Sequence, residues 1–175
     1  PTQAQVRSCF IPAKGSKLII ADYSQIELRV AAQISQDQRM VEAYRNGEDL
    51  HRLTASLLTE TPMAEVTDEQ RHAATAVNFG LLFAMGAQGL RNSARNTHGV
   101  EMSLEQAAEF KQRFFDSYAG FAAFLQNSAS RKVKQLRTLS GRIRHFTQGY
   151  ASLPNALNTP IQGSAADIIK QALAD

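Results

Sequence analysis

The chain of 175 residues carries a formal charge of +3 and a pI near 9.2, a mild basicity that permits contact with a phosphate backbone without demanding it. Its 43% hydrophobic content is enough for the core of one medium domain or two small lobes. The single cysteine, Cys9, excludes a disulfide framework and a cysteine zinc site, so a reducing, cytoplasmic setting is the simplest reading; no apolar run approaches the about 18 residues of a membrane-spanning helix, no signal-peptide profile opens the chain, and no membrane partner is expected.

In chain order, Val6 to Ile11 and Lys17 to Asp22 read as two strands joined by a turn at Pro12-Ala13-Lys14-Gly15-Ser16. The second strand ends on Asp22, a carboxylate delivered to a crevice. Ser24-x-x-Glu27 matches a capping box, and Leu28, Ala31, Ala32 and Ile34 continue an apolar helical face. On spacing alone, Glu27 is a carboxylate closing that cap.

Met40 to Leu58 predicts short helices broken at Asn46-Gly47, with His51 inside them; a lone histidine there reads as a surface or core residue. Thr67-x-x-Gln70 is a second capping box opening a helix over Arg71 to Phe83. One stripe of that helix carries Arg71, Thr75, Phe79 and Phe83, spaced every fourth residue as a packing face with an arginine at its N-terminal end.

Ser103 to Leu136 reads as a long helical region opened by Ser103-x-x-Gln106 and divided at Gly120, with Phe110, Phe114, Phe115, Tyr118, Phe121 and Phe124 as core. The basic cluster Arg131, Lys132, Lys134 and Arg137, followed by Arg142 and Arg144 around a Ser140-Gly141 turn, fits a solvated helix end and hairpin as well as a nucleic-acid contact. A last helix begins near Pro160.

The octet Asp22-Tyr23-Ser24-Gln25-Ile26-Glu27-Leu28-Arg29 resembles motif A of the family A DNA polymerases. Arg71 to Leu90 resembles their motif B, Asn158-Thr159-Pro160-Ile161-Gln162-Gly163 a third segment, and Glu48-Asp49-Leu50-His51 and Thr138-Leu139-Ser140-Gly141-Arg142 also match. The resemblance covers nearly the whole chain. It implies an α+β, mostly helical fold: part of a right-hand polymerase palm with antiparallel strands, plus helical fingers. Residues 1–60 are then palm and the start of the fingers, 61–135 the fingers helices with motif B, and 136–175 the return to the palm.

Function follows as an implication of the same resemblance. Asp22 binds Mg2+, helped by the Tyr23 backbone carbonyl, because two hard divalent ions that prefer carboxylate oxygens organise deoxynucleotidyl transfer. Gln25, His51 and Arg71 line the triphosphate pocket of a deoxynucleoside triphosphate, whose transfer depends on positioning and charge. Glu27 fills the space of a ribose 2′-hydroxyl, and Phe79 lies beneath the incoming sugar and base. Asn158 and Gln162, with Arg29, contact primer-template DNA, the first two in the minor groove, where every base pair offers acceptors.

Departures from the pattern carry expectations of their own. Thr75 stands where the family has a phosphate-contacting Lys, Phe83 where it has Tyr, and Ala84 where it has Gly. The Arg usual before the Asn-x-Pro-x-Gln segment is replaced by a stretch holding Pro154, Asn155 and Ala156. Motif C does not precede Asp175, and the chain opens on Pro1, so a fragment, or an unusually short gene product, is expected that acts with further polymerase segments such as the thumb and motif C. A decayed relative that only binds DNA or nucleotide, and a purely structural remnant, are the alternatives.

Overall fold

The computed structural model describes residues 6, 8–98 and 101–174, with the side chains of residues 97 and 98 excepted. Asp175, the expected end of the last helix, and Arg7 in the first expected strand lie outside the described residues. The described chain is mostly helical with one small antiparallel sheet: α1 (Ile26–Ser35), α2 (Gln38–Arg45), α3 (Leu50–Thr59), a 3-10 turn at Met63–Glu65, α4 (Asp68–Leu82), α5 (Ala87–His98), α6 (Leu104–Ser117), α7 (Ala119–Ser130), β1 (Gln135–Arg137), β2 (Ile143–His145) and α8 (Leu153–Ala174).

Among the described residues the two strands expected over 6–22 do not form. The turn between them does, with Ser16 N–H donating to the Ala13 carbonyl at 2.9 Å and Gly15 at φ 85°. A strand needs a ladder partner for its backbone and a surface for its side chains. Among the described residues neither is offered here: Ile19 and Ile20 are 91% and 89% exposed.

Helix α1 starts one step later than a Ser24 cap requires. Gln25 holds the cap position in the left-handed region, at φ 56°, with no side-chain cap bond, whereas a capping box needs an extended cap residue. The expected apolar face is correct: Leu28, Ala31 and Ala32 are buried and Ile34 packs against the core.

Local signals hold elsewhere. Asn46-Gly47 separates α2 from α3, and both remaining capping boxes are complete: Thr67 with Gln70 at α4, Ser103 with Gln106 at α6. Helix α4 ends in a Schellman turn, Ala84 N–H donating to the Leu81 carbonyl (3.1 Å) and Met85 N–H to the Gly80 carbonyl (3.0 Å), with Ala84 at φ 60°.

The break between α6 and α7 falls at Tyr118, not Gly120. Gly120 sits inside the first turn of α7 for a packing reason: a Cβ there would lie 2.6 Å from the Asp37 Cα. Asp37 uses its two oxygens on two helices, accepting from Met40 N–H of α2 (3.0 Å) and from Phe121 N–H of α7 (3.1 Å). Phe114, Tyr118 and Phe121 are fully buried, with Phe114 meeting both others edge to face at 4.9 and 6.2 Å. This aromatic group anchors one core to which α1 through α8 contribute, from Leu28 to Ile161 and Ala165.

The helical region ends at Ser130, short of Leu136, which instead pairs with Arg144 in the β1–β2 hairpin. That hairpin closes through Ser140 and Gly141 (φ 90°) as its sequence implies. Helix α8 begins at Leu153, so Pro160 is interior to it and Pro154 occupies the first turn, the position where a missing N–H costs nothing.

Candidate functional site

Helices α1, α3 and α4 meet around one carboxylate. Asp49 caps α3, its Oδ1 accepting from His51 N–H (2.8 Å) and Arg52 N–H (3.2 Å). The same oxygen accepts from Gln25 Nε2 at 3.2 Å, while Oδ2 accepts from Arg71 Nε (2.9 Å) and Nη2 (2.7 Å). Gln25 in turn accepts from the Tyr44 hydroxyl at 3.0 Å. Burial would raise the Asp49 pKa, but the Arg71 and Arg52 hydrogen bonds and the guanidinium charge outweigh it and hold the group below the usual carboxylate range. Burial pushes the Tyr44 phenol up against the opposing charge of Arg29, so the hydroxyl stays a donor.

His51 is buried and shares a second network with α4. Asn78 Nδ2 lies 2.8 Å from His51 Nδ1, and Thr54 Oγ1 lies 3.0 Å from Asn78 Oδ1 and 2.8 Å from the Leu50 carbonyl. The Tyr118 hydroxyl, 2.8 Å from Thr54 Oγ1, closes the network, and burial raises its pKa to about 12. The His51 ring stands 5.7 Å from the Phe79 ring.

Gln25, His51, Arg71 and Phe79 are thus linked by direct contacts or through Asp49. Thr75 lies between Arg71 and Phe79 on α4, but its hydroxyl donates back to the Arg71 carbonyl at 3.0 Å. Phe83 forms the C-terminal cap of the same helix. Burial raises the Glu27 pKa, and the Gln162 side chain of α8 works against that rise.

Asn158 and Gln162 line a shallow groove of about 280 Å³ with Arg142, Arg144, Asn155, Thr159 and Gly163. Asn158 Oδ1 is buried there without a hydrogen-bond partner. Arg144 donates to Thr159 Oγ1 at 3.2 Å, and Arg142 to Asp167 Oδ1 at 2.8 Å and the Gly163 carbonyl at 3.0 Å. Arg29 stands apart, its guanidinium 4.3 Å from the Tyr44 ring and bonded to the Ser24 carbonyl.

Asp22 and Tyr23 are exposed beside a different groove of about 470 Å³, whose wall is Ile169, Ala172 and Leu173 of α8. A carboxylate and a backbone carbonyl are the hard oxygen donors Mg2+ prefers, but such an ion takes six. Among the described residues no group of three or more His, Cys, Asp or Glu stands close enough to hold a metal. The donor set at Asp22 is therefore partial.

Asp49 is the site residue that sequence reasoning missed. An aspartate directly before a helical run signals an N-cap, but its partners lie 22 and 24 residues away and no local pattern announces them.

The architecture is that of a polymerase domain. The solved POL domain of Pol1 from M. smegmatis, in complex with DNA primer-template and dNTP, superposes with a TM-score of 0.71 at 36% identity, covering 85% of this chain and 27% of that one. The chain belongs to DNA polymerase family A, whose family profile matches residues 1–175. DNA polymerase I of Aquifex aeolicus is 36% identical over 171 residues, 96% of this chain and 29% of that enzyme, and that of Bacillus caldotenax is 38% identical over 182 residues, 98% and 20%. The chain thus spans less than a third of the length of these relatives. No helix among the described residues is long and apolar enough to cross a membrane.

Proposed function

We propose that this chain supplies palm and fingers elements of a DNA-directed DNA polymerase that extends a primer 3′ end with deoxynucleotides on a DNA template. In this reading residues 1–60 and 136–175 belong mainly to the palm and 61–135 to the fingers, and the protein works in the cytoplasm. The observation that carries it is the convergence of Gln25, His51, Arg71 and Phe79 from three separate stretches of sequence, tied through Asp49 and the His51–Phe79 contact.

Each residue then has a task. Arg71, His51 and Gln25 bind the triphosphate, Phe79 and Phe83 pack on nucleotide and template, and Glu27 selects a deoxyribose. Asn158 and Gln162 touch the minor groove of primer-template, and Arg29 a strand close by. Asp22 and Tyr23 give part of the oxygen set for Mg2+, and the remaining donors come from outside the described residues.

A second reading is favoured by Thr75: its hydroxyl, occupied with the Arg71 carbonyl, gives no cation to the phosphates. The chain would then bind primer-template or nucleotide without joining them. Both readings meet one experiment, in which labelled primer-template, deoxynucleoside triphosphate and Mg2+ are supplied to the chain alone and with a motif C-bearing and thumb-bearing polymerase segment. Templated extension that disappears in Asp22→Ala, with an unchanged circular dichroism spectrum, supports the polymerase reading. Full extension by Asp22→Ala sinks the metal assignment, and binding without extension, even in Thr75→Lys, selects the second reading.

A further inference from the structure

Arg71 reaches its place with its charge already answered. Asp49 and Arg71 are each about one-third exposed, at 32% and 36%, so the pair stands at the edge of the site where an anionic ligand can approach it. The two Asp49 oxygens divide their work: Oδ1 holds the α3 backbone and Gln25, whereas Oδ2 holds only Arg71 among the bonds described. Arg71 can therefore turn away from Oδ2 while α3 stays capped.

We infer that Asp49 is a resident competitor for the Arg71 guanidinium, an affinity-setting residue that an incoming polyphosphate must displace from Nε and Nη2. The inference rests on the reading that Arg71 faces a nucleotide triphosphate. Its chemistry is an exchange of one charge-assisted partner for another. A carboxylate and a phosphate oxygen present the same geometry to a guanidinium, so the pair keeps the arginine extended before the ligand arrives. The same carboxylate then opposes binding, both as a rival acceptor and as a negative charge beside the phosphates. Gln25 feels the exchange because it shares the carboxylate, which couples α1 to the occupancy of α4.

Asp49→Asn separates the two duties. Asparagine is as good a helix cap as aspartate, so α3 keeps its N-terminal acceptor, but the charge and the strong acceptor facing Arg71 are gone. The experiment measures binding of a deoxynucleoside triphosphate, and of inorganic triphosphate as a base-free probe, to the wild-type chain, Asp49→Asn, Arg71→Ala and the double variant, with thermal melts as controls on the fold. The expected result is about tenfold tighter binding of both probes by Asp49→Asn, and no such gain when Arg71 is already alanine. Unchanged or weaker binding by a folded Asp49→Asn overturns the inference while leaving the nucleotide reading standing. A gain that persists without Arg71 overturns it too, because the competition is then for another group. Wild-type chain and Asp49→Asn that both fail to bind either probe overturn the nucleotide reading together with the inference.

Discussion

The Thr75 hydroxyl and the Arg71 carbonyl, 3.0 Å apart on α4, form a closed pair that turns a potential phosphate contact back onto its own helix. The bond is local, and breaking it leaves the α4 backbone ladder intact. Thr75→Lys therefore replaces a β-branched residue by a better helix former, a gain of a few tenths of a kcal/mol. It also sets a cation between Arg71 and Phe79. In an assembled polymerase, the expected outcome is a rise in the single-turnover rate of primer extension on the order of 10³, the scale of single-cation effects in phosphoryl transfer. A variant that melts normally and extends no faster would show that Thr75 is not what limits the chemistry.

Ala84 occupies the left-handed position of the Schellman turn that ends α4, at φ 60°. An L-residue with a Cβ pays about 1–2 kcal/mol there relative to glycine. Glycine costs about 0.4–1 kcal/mol through the freer unfolded chain. The difference favours Ala84→Gly by roughly 1 kcal/mol. Chemical denaturation should show a higher midpoint with an unchanged slope, and a lower midpoint would mean that the alanine methyl has a packing role.

Gly120→Ala should do the opposite. Helix propensity alone would favour alanine by about 1 kcal/mol. The new methyl would meet the Asp37 Cα at 2.6 Å, a backbone neighbour that cannot swing aside. We expect a net loss of about 1–3 kcal/mol, typical of forced overpacking, seen as a lowered thermal midpoint. The effect should persist in an Asp37→Gly background if backbone crowding is its source, because the Asp37 Cα remains in place.

Asp167 makes stability depend on pH in a defined window. Its pKa is lowered from 3.8 to about 2 by hydrogen bonds from Ser140 and Thr138 and by the Arg142 bond and charge. A depressed folded-state value means that the contribution is complete above the unfolded value of 3.8 and is lost as pH falls toward about 2. The stability difference between wild type and Asp167→Asn should therefore be constant near neutrality, shrink below pH 3.8 and vanish only below about 2. A difference that survived at the acid end would assign the role of Asp167 to shape and not to charge.

The signals that proved legible in the sequence were the ones settled within a few residues. The caps at Thr67 and Ser103, the break at Asn46-Gly47 and the Ser140-Gly141 turn need only residues within three positions of one another, and all are present. Ser24-x-x-Glu27 fits the same pattern yet fails as a cap, because Gln25 takes the cap position in a left-handed conformation. Lys17 to Asp22 has strand composition, but pairing is a property of two segments, and no described residue offers it a ladder partner. Pro160 misled for a related reason: Pro154 already starts α8 six residues earlier, and the helix continues through the second proline with Ser164 Oγ donating to the Pro160 carbonyl at 2.5 Å. The stripe of Arg71, Thr75 and Phe79 was readable as one face of a helix. That Asp49 would bind its first member was not, since that contact exists only after α3 and α4 have packed.

The double duty of Asp37 bears on the order in which the molecule assembles. Its bond to Phe121 N–H joins positions 84 residues apart, so the intervening segment must come together before this carboxylate finds its second partner. Loop entropy grows only logarithmically with length, but it is lost before the contact repays it. The starts of α2 and α7 should then lock in one late event, and amides at both places should exchange with solvent at a common rate, as parts of a single cooperative unit.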